Sequence, residues 1–310
     1  MKKMLLSVEK RQLMKKYRLL YLFLVPGAVV LFLFAYLPMG GLIMVFQQYD
    51  PVSGFLGSPW AGFENYERVL SSPTFARALR NTLVISGLKL LIEFPMPIIF
   101  ALMLNELRRK RFKKVVQTIT YIPNFVSWVI VSGIWYSILS SGGVVNQVLM
   151  NLGVIDESIL FMQQKNLFYL IIIFTDIWKT LGYSTIFYIA AMATVPAENY
   201  EAAMIDGAGK WKQAVHITLP SITGTIALLF IMQVAGILNA GFDQMWTMGN
   251  LAVREIADIL DTAVLRTLTS GSINDLSTSA ALGMFKSVVG LALFIITNFI
   301  SKKLINESIV

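Results

Sequence analysis

The chain has 310 residues, of which 56% are hydrophobic and 14% charged, and its formal net charge is +8. Soluble domains carry roughly a quarter charged residues, so this balance indicates lipid as the main solvent. The absence of cysteine excludes disulfides and any Cys-based metal site or nucleophile, and a single histidine, His216, excludes a His-rich metal site.

Six apolar segments have about the 20-residue length at which a helix crosses a ~30 Å hydrocarbon core. They comprise residues 19–46, 82–104, 115–139, 167–193, 222–238 and 281–300. The first is longer than the ~7–15-residue apolar core of a signal peptide and has no A-x-A-like cleavage site, so we expect it to be retained. The sequence therefore predicts an all-α polytopic membrane protein with six transmembrane helices.

The distribution of Lys and Arg predicts the orientation of these spans. Seventeen of them lie in the tail at residues 1–18, the second connection with its run "RRKRFKK" (108–114), the fourth connection and the C-terminal tail, against six in the other three connections. Because positively charged loops stay on the cytoplasmic side, both termini are predicted to be cytoplasmic. The basic excess is then an orientation signal, and we do not expect nucleic-acid binding.

The longest connection, residues 239–280, is shorter than a typical soluble domain, so residues 19–310 are predicted to form one membrane domain. Prolines interrupt several spans, among them Pro26, Pro95, Pro97 and Pro123. A proline removes an intrahelical hydrogen bond, which a membrane tolerates where neighbours or a cavity satisfy the backbone. Packing irregularities and functional hinges are both compatible with this pattern.

Ionisable residues inside the spans are informative because each costs several kcal/mol if it faces lipid. Lys89 and Glu93 are four residues apart and Asp176 and Lys179 are three apart, so each pair is predicted to interact within its own helix, whereas Lys286 has no partner in its span. These charges either stabilise the structure or line an aqueous path.

The fragment "GAGKW" (207–211) has the appearance of a phosphate-binding loop but lacks its essentials. Met204 stands where the first glycine would be and Trp211 where the Ser/Thr would be, and no buried strand precedes it. Nothing ties His216 to a nucleophile. We therefore predict a non-enzymatic chain that has no cofactor or metal of its own.

Residues 194–220, which we call the EAA segment, are polar and helix-capable between two apolar runs. Pro196 is expected in the first helical turn with Thr194 as a cap, and Gly207 and Gly209 are expected to form a turn. An apolar stripe on this short helix comprises Tyr200, Ala203, Met204 and Ala208. Such a helix is suited to be gripped by a partner or to rest on the membrane surface.

The stretch "EAAMIDGAGKWKQAVHITLP" (201–220) resembles the EAA loop of the permease subunits of ABC importers, with the pattern E-A-A, three residues, G, nine residues, I-x-L-P. Seven positions are in register. They are Glu201, Ala202, Ala203, Gly207, Ile217, Leu219 and Pro220.

Further segments resemble sugar permeases of this family. They include "WAGFENYERVLSSPTFARALRNTL" (60–83), "FKKVVQTITYIPNFVSWVIVSGIWYSIL" (112–139), "GGVVNQVL" (142–149) and "REIADILDTAVLRTLTSG" (254–271). The overall likeness is to the LplB-like branch, which is associated with oligosaccharides released from complex glycans.

The resemblance implies a type I importer transmembrane domain in the bacterial cytoplasmic membrane. It implies as partners a second, similar permease, two ATPase subunits that bind the ATP and magnesium, and an extracellular or periplasmic sugar-binding protein. Coupling to the ATPase would then involve Glu201, Ala202, Ala203, Met204, Asp206 and Gly207.

For the substrate path, a helical stripe in the fifth span combines an amide with small residues. The stripe comprises Gln233, Gly236, Ile237 and Ala240, with Asn239 beside it; Trp135 and Tyr136 of the third span are further candidates. Sugars are held by aromatic faces and amide hydrogen bonds in a mainly apolar cavity. Ordinary helix packing or interfacial anchoring of the aromatics is the alternative for these residues.

Two other functions compete with ATP-driven import. In an ion-coupled secondary transporter, the intramembrane charges would be the coupling elements. In a non-transporting scaffold or sensor subunit, deletion would have no sugar-dependent effect. The sequence does not specify the sugar.

Overall fold

A computed structural model describes residues 13, 16–269 and 275–305 of the chain. Most of the predicted basic tail at residues 1–18 lies outside the described residues. The described part is helical, with 79% helix and no strand, apart from an isolated bridge between Gln47 and Trp60. The predicted all-α class is confirmed.

We number the described helices of at least seven residues in chain order, counting short 3₁₀ and π turns with the helix they continue. They are α1 (Arg18–Phe46), α2 (Glu64–Leu70), α3 (Pro73–Asn105), α4 (Lys110–Phe125), α5 (Trp128–Ile138), α6 (Val144–Asn151), α7 (Lys165–Met192), α8 (Ala197–Ile205), α9 (Lys210–Ser221), α10 (Thr223–Ala235), α11 (Phe242–Met248), α12 (Leu260–Thr269) and α13 (Asp275–Ile305).

Four helices in the described residues, α1, α3, α7 and α13, are long and apolar enough to cross a membrane. Two further pairs of helices are long and apolar enough to cross a membrane only when each pair is taken together: α4 with α5, bent by 104°, and α9 with α10, bent by 63°. If each bent pair is one span, the spans number six, as the apolar segments predict. The second span begins at Pro73 rather than at residue 82, because its polar first turns are held by tertiary contacts: Ala78 and Asn81 are buried.

Local sequence explains the irregular turns. Pro95 has no N–H to donate, and just before it the helix widens into a π turn at Lys89–Glu93 in which the Phe94 N–H reaches the Lys89 carbonyl at 3.3 Å. At the bend between α4 and α5, Pro123 lies in a 3₁₀ turn and Val126 is extended. The regular backbone hydrogen bonds of these helices are thus interrupted where proline has no N–H to donate.

Contacts between connections define two faces of the bundle. The end of α3 meets the start of α9, with Glu106 Oε2 and Lys210 Nζ 3.5 Å apart; we call this side the EAA face. On the opposite face, the Tyr49 N–H donates to Ser277 Oγ at 3.0 Å, and Asn81 Nδ2 donates to the Glu255 carbonyl at 2.8 Å.

Close packing joins α4 to α7 at Gly182. A Cβ at this position would lie 2.2 Å from the Thr120 carbonyl oxygen, so only glycine allows the two helices to approach this closely. By contrast, α1 stands away from the bundle: residues 18–40 are all exposed, and burial begins only near Val45. Because α1 is apolar and mostly exposed, its surface must be covered by something other than the core of its own chain.

Candidate functional site

A polar cavity of about 490 Å³ lies between α3, α7 and α10. One end is formed by Lys89, Asp176 and Gly241, and from there the lining continues along each helix toward the EAA face, to Pro97 in α3 and Tyr188 in α7. Polar lining side chains include Glu93, Thr180, Ser184, Gln233 and Asn239.

Lys89 is the central cation of this site. Its ammonium pairs with the Asp176 carboxylate of α7 and donates to Gln244 Oε1 of α11 at 2.8 Å. Gln244 is fully buried, and its Nε2 donates to the Ile172 carbonyl at 2.7 Å and to Thr175 Oγ1 at 3.0 Å. One lysine therefore ties three separate helices together at the far end of the cavity.

The chain between α10 and α11, residues 236–241, is not regular helix and lies beside this network. Gly241 has a φ of +91°, and a Cβ there would come within 2.9 Å of Lys89 Nζ, so both the backbone and the lysine require glycine. On the other side of the break, Lys286 of α13 donates to Asn239 Oδ1 at 2.8 Å and pairs with Asp261. Two lysines thus hold the break from opposite sides.

The predicted ion pairs within single helices are wrong. Lys89 pairs with Asp176 rather than Glu93. Lys179 makes no ion pair with Asp176 and instead donates to the carbonyls of Asn124 at 2.9 Å and Val126 at 2.7 Å. Because the bend between α4 and α5 leaves carbonyls without intrahelical donors, the Lys179 ammonium satisfies them.

The predicted stripe on the fifth span is also corrected, because α10 ends at Ala235. Gln233 and Asn239 line the polar cavity. Gly236 and Ile237 join them only in an adjoining space of about 170 Å³. Ala240 is fully buried in the hydrophobic core and does not reach either space.

Trp135 and Tyr136 lie outside the polar cavity. The Trp135 ring packs edge-on against Phe174 and Trp178 and lines an apolar pocket. The Tyr136 hydroxyl donates to the Met248 carbonyl at 2.8 Å and lines a pocket on the opposite face. Their role in a substrate path stays a prediction.

The EAA segment contains the short helix expected for it, α8. Pro196 is the residue just before the first turn rather than within it. The Thr194 hydroxyl donates to the Ala191 carbonyl at 2.8 Å, so the predicted cap is wrong. Gly207 has a φ of +75° and forms the turn after α8, whereas Gly209 is extended, with a φ of −67°.

The EAA segment is held together by internal hydrogen bonds and is linked to the end of the second span by one ion pair. The Tyr200 and Thr218 hydroxyls are 2.9 Å apart, and Gln213 Nε2 donates to the Ala208 carbonyl at 2.8 Å. Together with the ion pair between Lys210 and Glu106, these contacts join α8 to α9 and to the end of α3.

The front of the same segment is open. Glu201, Ala202, Asp206 and Gly207 are exposed. Three large apolar side chains stand beside them: Met204 is 55%, Ile205 87% and Trp211 79% exposed. Ile205 and Trp211 were not among the candidates from sequence, although Trp211 could have been noticed as a tryptophan in a polar connection.

On the face opposite the EAA face, Lys165 at the start of α7 forms an ion pair with Glu255. The hydrogen bond and charge of Lys165 hold the pKa of the Glu255 carboxyl below its usual range. Among the described residues, no cluster of His, Asp and Glu has the arrangement of a metal site.

A helical membrane subunit with a polar cavity between its spans and a helix–turn segment anchored on one face has the construction of a transport subunit. Residues 94–306 match the family described as binding-protein-dependent transport system inner membrane component. The chain belongs to this family, the permeases of ABC importers.

Its relatives include sugar permeases. It is 43% identical to protein LplB of Bacillus subtilis (strain 168), over 96% of this chain and 92% of that protein. It is 42% identical to the polygalacturonan/rhamnogalacturonan transport system permease protein YteP of the same organism, over 97% and 93%. A chain of a bacterial alginate ABC transporter, solved with its alginate pentasaccharide-bound periplasmic protein, superposes with a TM-score of 0.86 at 36% identity, covering 96% of this chain and 99% of that one.

Proposed function

We propose that the chain forms half of the translocation path of an ATP-driven sugar importer and is coupled to partner ATPase subunits through the EAA segment. The observation that carries this proposal is the construction of that segment: an exposed front on helices that are hydrogen-bonded to each other, continue into α10 and are ion-paired to the end of α3. A subunit seated on the front can therefore displace the spans.

The EAA front has the composition of a protein contact. Met204, Ile205 and Trp211 present apolar area that no described residue covers, and large apolar side chains with a polar rim are typical of interfaces. Glu201 would pair with a basic residue of the ATPase, Ala202 and Ala203 would allow close approach, and Gly207 would set the turn beside Asp206. The ATPase, with its ATP and magnesium, would sit below this face.

A second permease would complete the path. The polar cavity is only partly enclosed by this chain, and α1 exposes residues 18–40. Both features are accounted for if a similar subunit closes the cavity and packs against α1. With the ATPases on the EAA face, both termini and "RRKRFKK" (108–114) would be cytoplasmic, in agreement with the positive charge there.

The names of relatives and the lining of the cavity support a sugar as cargo. YteP is named for polygalacturonan and rhamnogalacturonan, and the alginate transporter carries a saccharide on its periplasmic protein. Here Gln233 and Asn239 present amides into the cavity beside hydroxyls of Thr180 and Ser184. A binding protein would deliver the sugar to the opposite face.

The test is uptake of labelled oligosaccharide by vesicles that contain the chain with its second permease, ATPases and binding protein. We expect uptake with ATP, and none with a proton or sodium gradient alone. Glu201→Lys should abolish uptake and sugar-stimulated ATP hydrolysis while the variant still inserts. Gradient-driven uptake by the chain alone would instead establish the ion-coupled transporter.

A further inference from the structure

A run of cations between α3 and α4 has no acidic partner. Six of the seven residues at 108–114, which we call the basic run, are Arg or Lys, and all six are exposed or half-buried. Glu106 just before the run pairs with Lys210, and the next acidic residue along the chain is Asp156. None of the six cations forms an ion pair with a described residue. Clustered like charges repel one another, so the basic run calls for anions from outside the chain.

The helix that contains the end of this run, α4, has an exposed apolar side. Phe112, Val115, Ile119 and Ile122 recur at i, i+3, i+7 and i+10, so they lie on one side of the helix, and they are between 53% and 63% exposed. We call these four side chains the apolar ridge. Arg111 lies one turn before Val115 on the same side of α4. A cation therefore stands where the apolar ridge meets the basic run.

The two surfaces together indicate the chemistry of the ligand. A soluble anion, or an acidic protein in the aqueous phase, would contact the cations and leave the apolar ridge uncovered. An anionic phospholipid covers both, because its headgroup carries the negative charge and its acyl chains are apolar. Basic clusters beside a span attract anionic headgroups, and an amphipathic helix places its apolar side against the acyl chains. The long stems of Arg and Lys lie along apolar surface while their charged ends reach the headgroups.

We propose that the basic run and the apolar ridge form a binding site for an anionic phospholipid in the leaflet on the EAA side of the membrane. The cations hold the phosphodiester, and the apolar ridge holds an acyl chain. Glu106, two residues before the basic run, pairs with Lys210 of the EAA segment. The bound lipid thus lies beside the link between the second span and the EAA segment. This site goes beyond the proposed transport and needs neither sugar nor ATPase.

The preference of this site for one lipid over another can be measured in the full chain in lipid nanodiscs. Since the chain has no cysteine, Val115→Cys provides a single thiol on the apolar ridge for a bimane fluorophore, which brominated acyl chains quench on contact. Brominated phosphatidylglycerol is titrated into phosphatidylcholine, and brominated phosphatidylcholine into phosphatidylglycerol. The two curves give the ratio of the association constants of the two lipids at the reporter. We expect phosphatidylglycerol to be favoured on the order of tenfold.

Arg111→Gln with Lys114→Gln removes two cations of the basic run and leaves the apolar ridge unchanged. In this double variant of the reporter protein, the preference for phosphatidylglycerol should fall about fivefold or more. The matched control is Lys302→Gln with Lys303→Gln, which removes the same charge from two exposed lysines near the end of α13 and should leave the preference unchanged. Equal quenching of all three proteins in discs made only of brominated phosphatidylcholine shows that the reporter still faces lipid.

Equal association of both lipids with the parent reporter protein would overturn the proposal. So would an equal loss of preference in the two double variants, since the preference would then depend on net charge alone. Absence of quenching by either brominated lipid would show that protein covers the apolar ridge, which also contradicts a lipid site. If Arg111→Gln with Lys114→Gln instead releases the ATPase subunits and keeps the lipid preference, the basic run belongs to the ATPase contact and the proposal is wrong. No outcome involves sugar, so ATP-driven uptake tests the proposed function separately.

Discussion

Lys89 and Gln244, 155 residues apart in the chain, are joined by a hydrogen bond of 2.8 Å from the lysine ammonium to the amide oxygen. The Gln244 amide nitrogen in turn donates to the Ile172 carbonyl and Thr175 Oγ1. Gln244 is therefore satisfied at both ends of its amide, and it links the second span to the fourth across the end of the cavity. These contacts, together with the left-handed backbone of Gly241, hold the break in the fifth span in place.

Replacing this lysine should destabilise the fold. Lys89→Met leaves the Asp176 carboxylate and the Gln244 amide oxygen buried without their donor. Removing one partner of a buried pair costs about 3–5 kcal/mol, so we expect a clear fall in the midpoint of thermal unfolding in detergent.

The matched control is Lys165→Met, which removes a lysine whose pair with Glu255 has side chains 51% and 59% exposed. Solvent screens an exposed pair, which contributes little net stability, so its midpoint should shift little. Equal shifts in the two variants would show that the network around Lys89 does not stabilise the bundle.

Gly182→Ala should separate α4 from α7. The added methyl would meet the Thr120 carbonyl oxygen at 2.2 Å, and backbone cannot move aside as a side chain can. Overpacking costs about 1–3 kcal/mol, and because Lys179 on the same helix holds the bend of the third span, the strain should reach that bend.

Gly87→Ala is the control for this change, since a Cβ at Gly87 in α3 meets nothing within 4 Å. Thermal unfolding of both variants provides the measurement. A Gly182→Ala protein as stable as Gly87→Ala would contradict the close approach of the two helices.

Much of this architecture could be predicted from sequence, because lipid imposes long apolar segments and the loops carry the charges. The limits of that reasoning are visible at Lys89 and Lys179. Spacing of three or four residues identifies neighbours on one helix, but partners 87 and 55 residues away, Asp176 and Asn124, depend on how helices pack. An intramembrane lysine takes the acceptor that tertiary structure leaves unsatisfied.

The lining of the polar cavity was only partly predictable for a related reason. Helical periodicity predicts that the stripe continues through residues 236–240, whereas the helix ends at Ala235 and a left-handed Gly241 redirects the chain. Gly236 and Gly241 were the available signals. Trp135 and Tyr136 were chosen for their chemistry, and only the fold shows that they face other pockets.

The ion pair on the opposite face predicts a weak dependence of stability on pH. The pKa of Glu255 is lowered by Lys165, so the carboxylate binds protons less readily in the folded than in the unfolded chain. Its contribution is present at neutral pH and is lost as the pH falls through the lowered pKa, below the usual range of a glutamate.

Lys165→Met removes this contribution. As the pH is lowered from neutral to below the usual range of a glutamate pKa, the unfolding midpoint of the variant should therefore fall less than that of the parent. The comparison of the two slopes isolates Glu255 from the other carboxylates. Parallel slopes would show that the pair does not affect stability.

The most direct test of the account compares two glycines of one turn in the assembled importer. A Cβ at Gly207 or at Gly209 meets nothing within 4 Å, and the two differ in backbone: only Gly207 has a positive φ, +75°. A β-branched residue in that conformation costs about 1–3 kcal/mol, which should distort the EAA segment without affecting the spans. We predict that Gly207→Val reduces ATP-driven sugar uptake by about tenfold or more, whereas Gly209→Val transports like the parent, with both variants inserted in equal amounts. Full uptake by Gly207→Val would contradict the claim that this turn couples the permease to its ATPase.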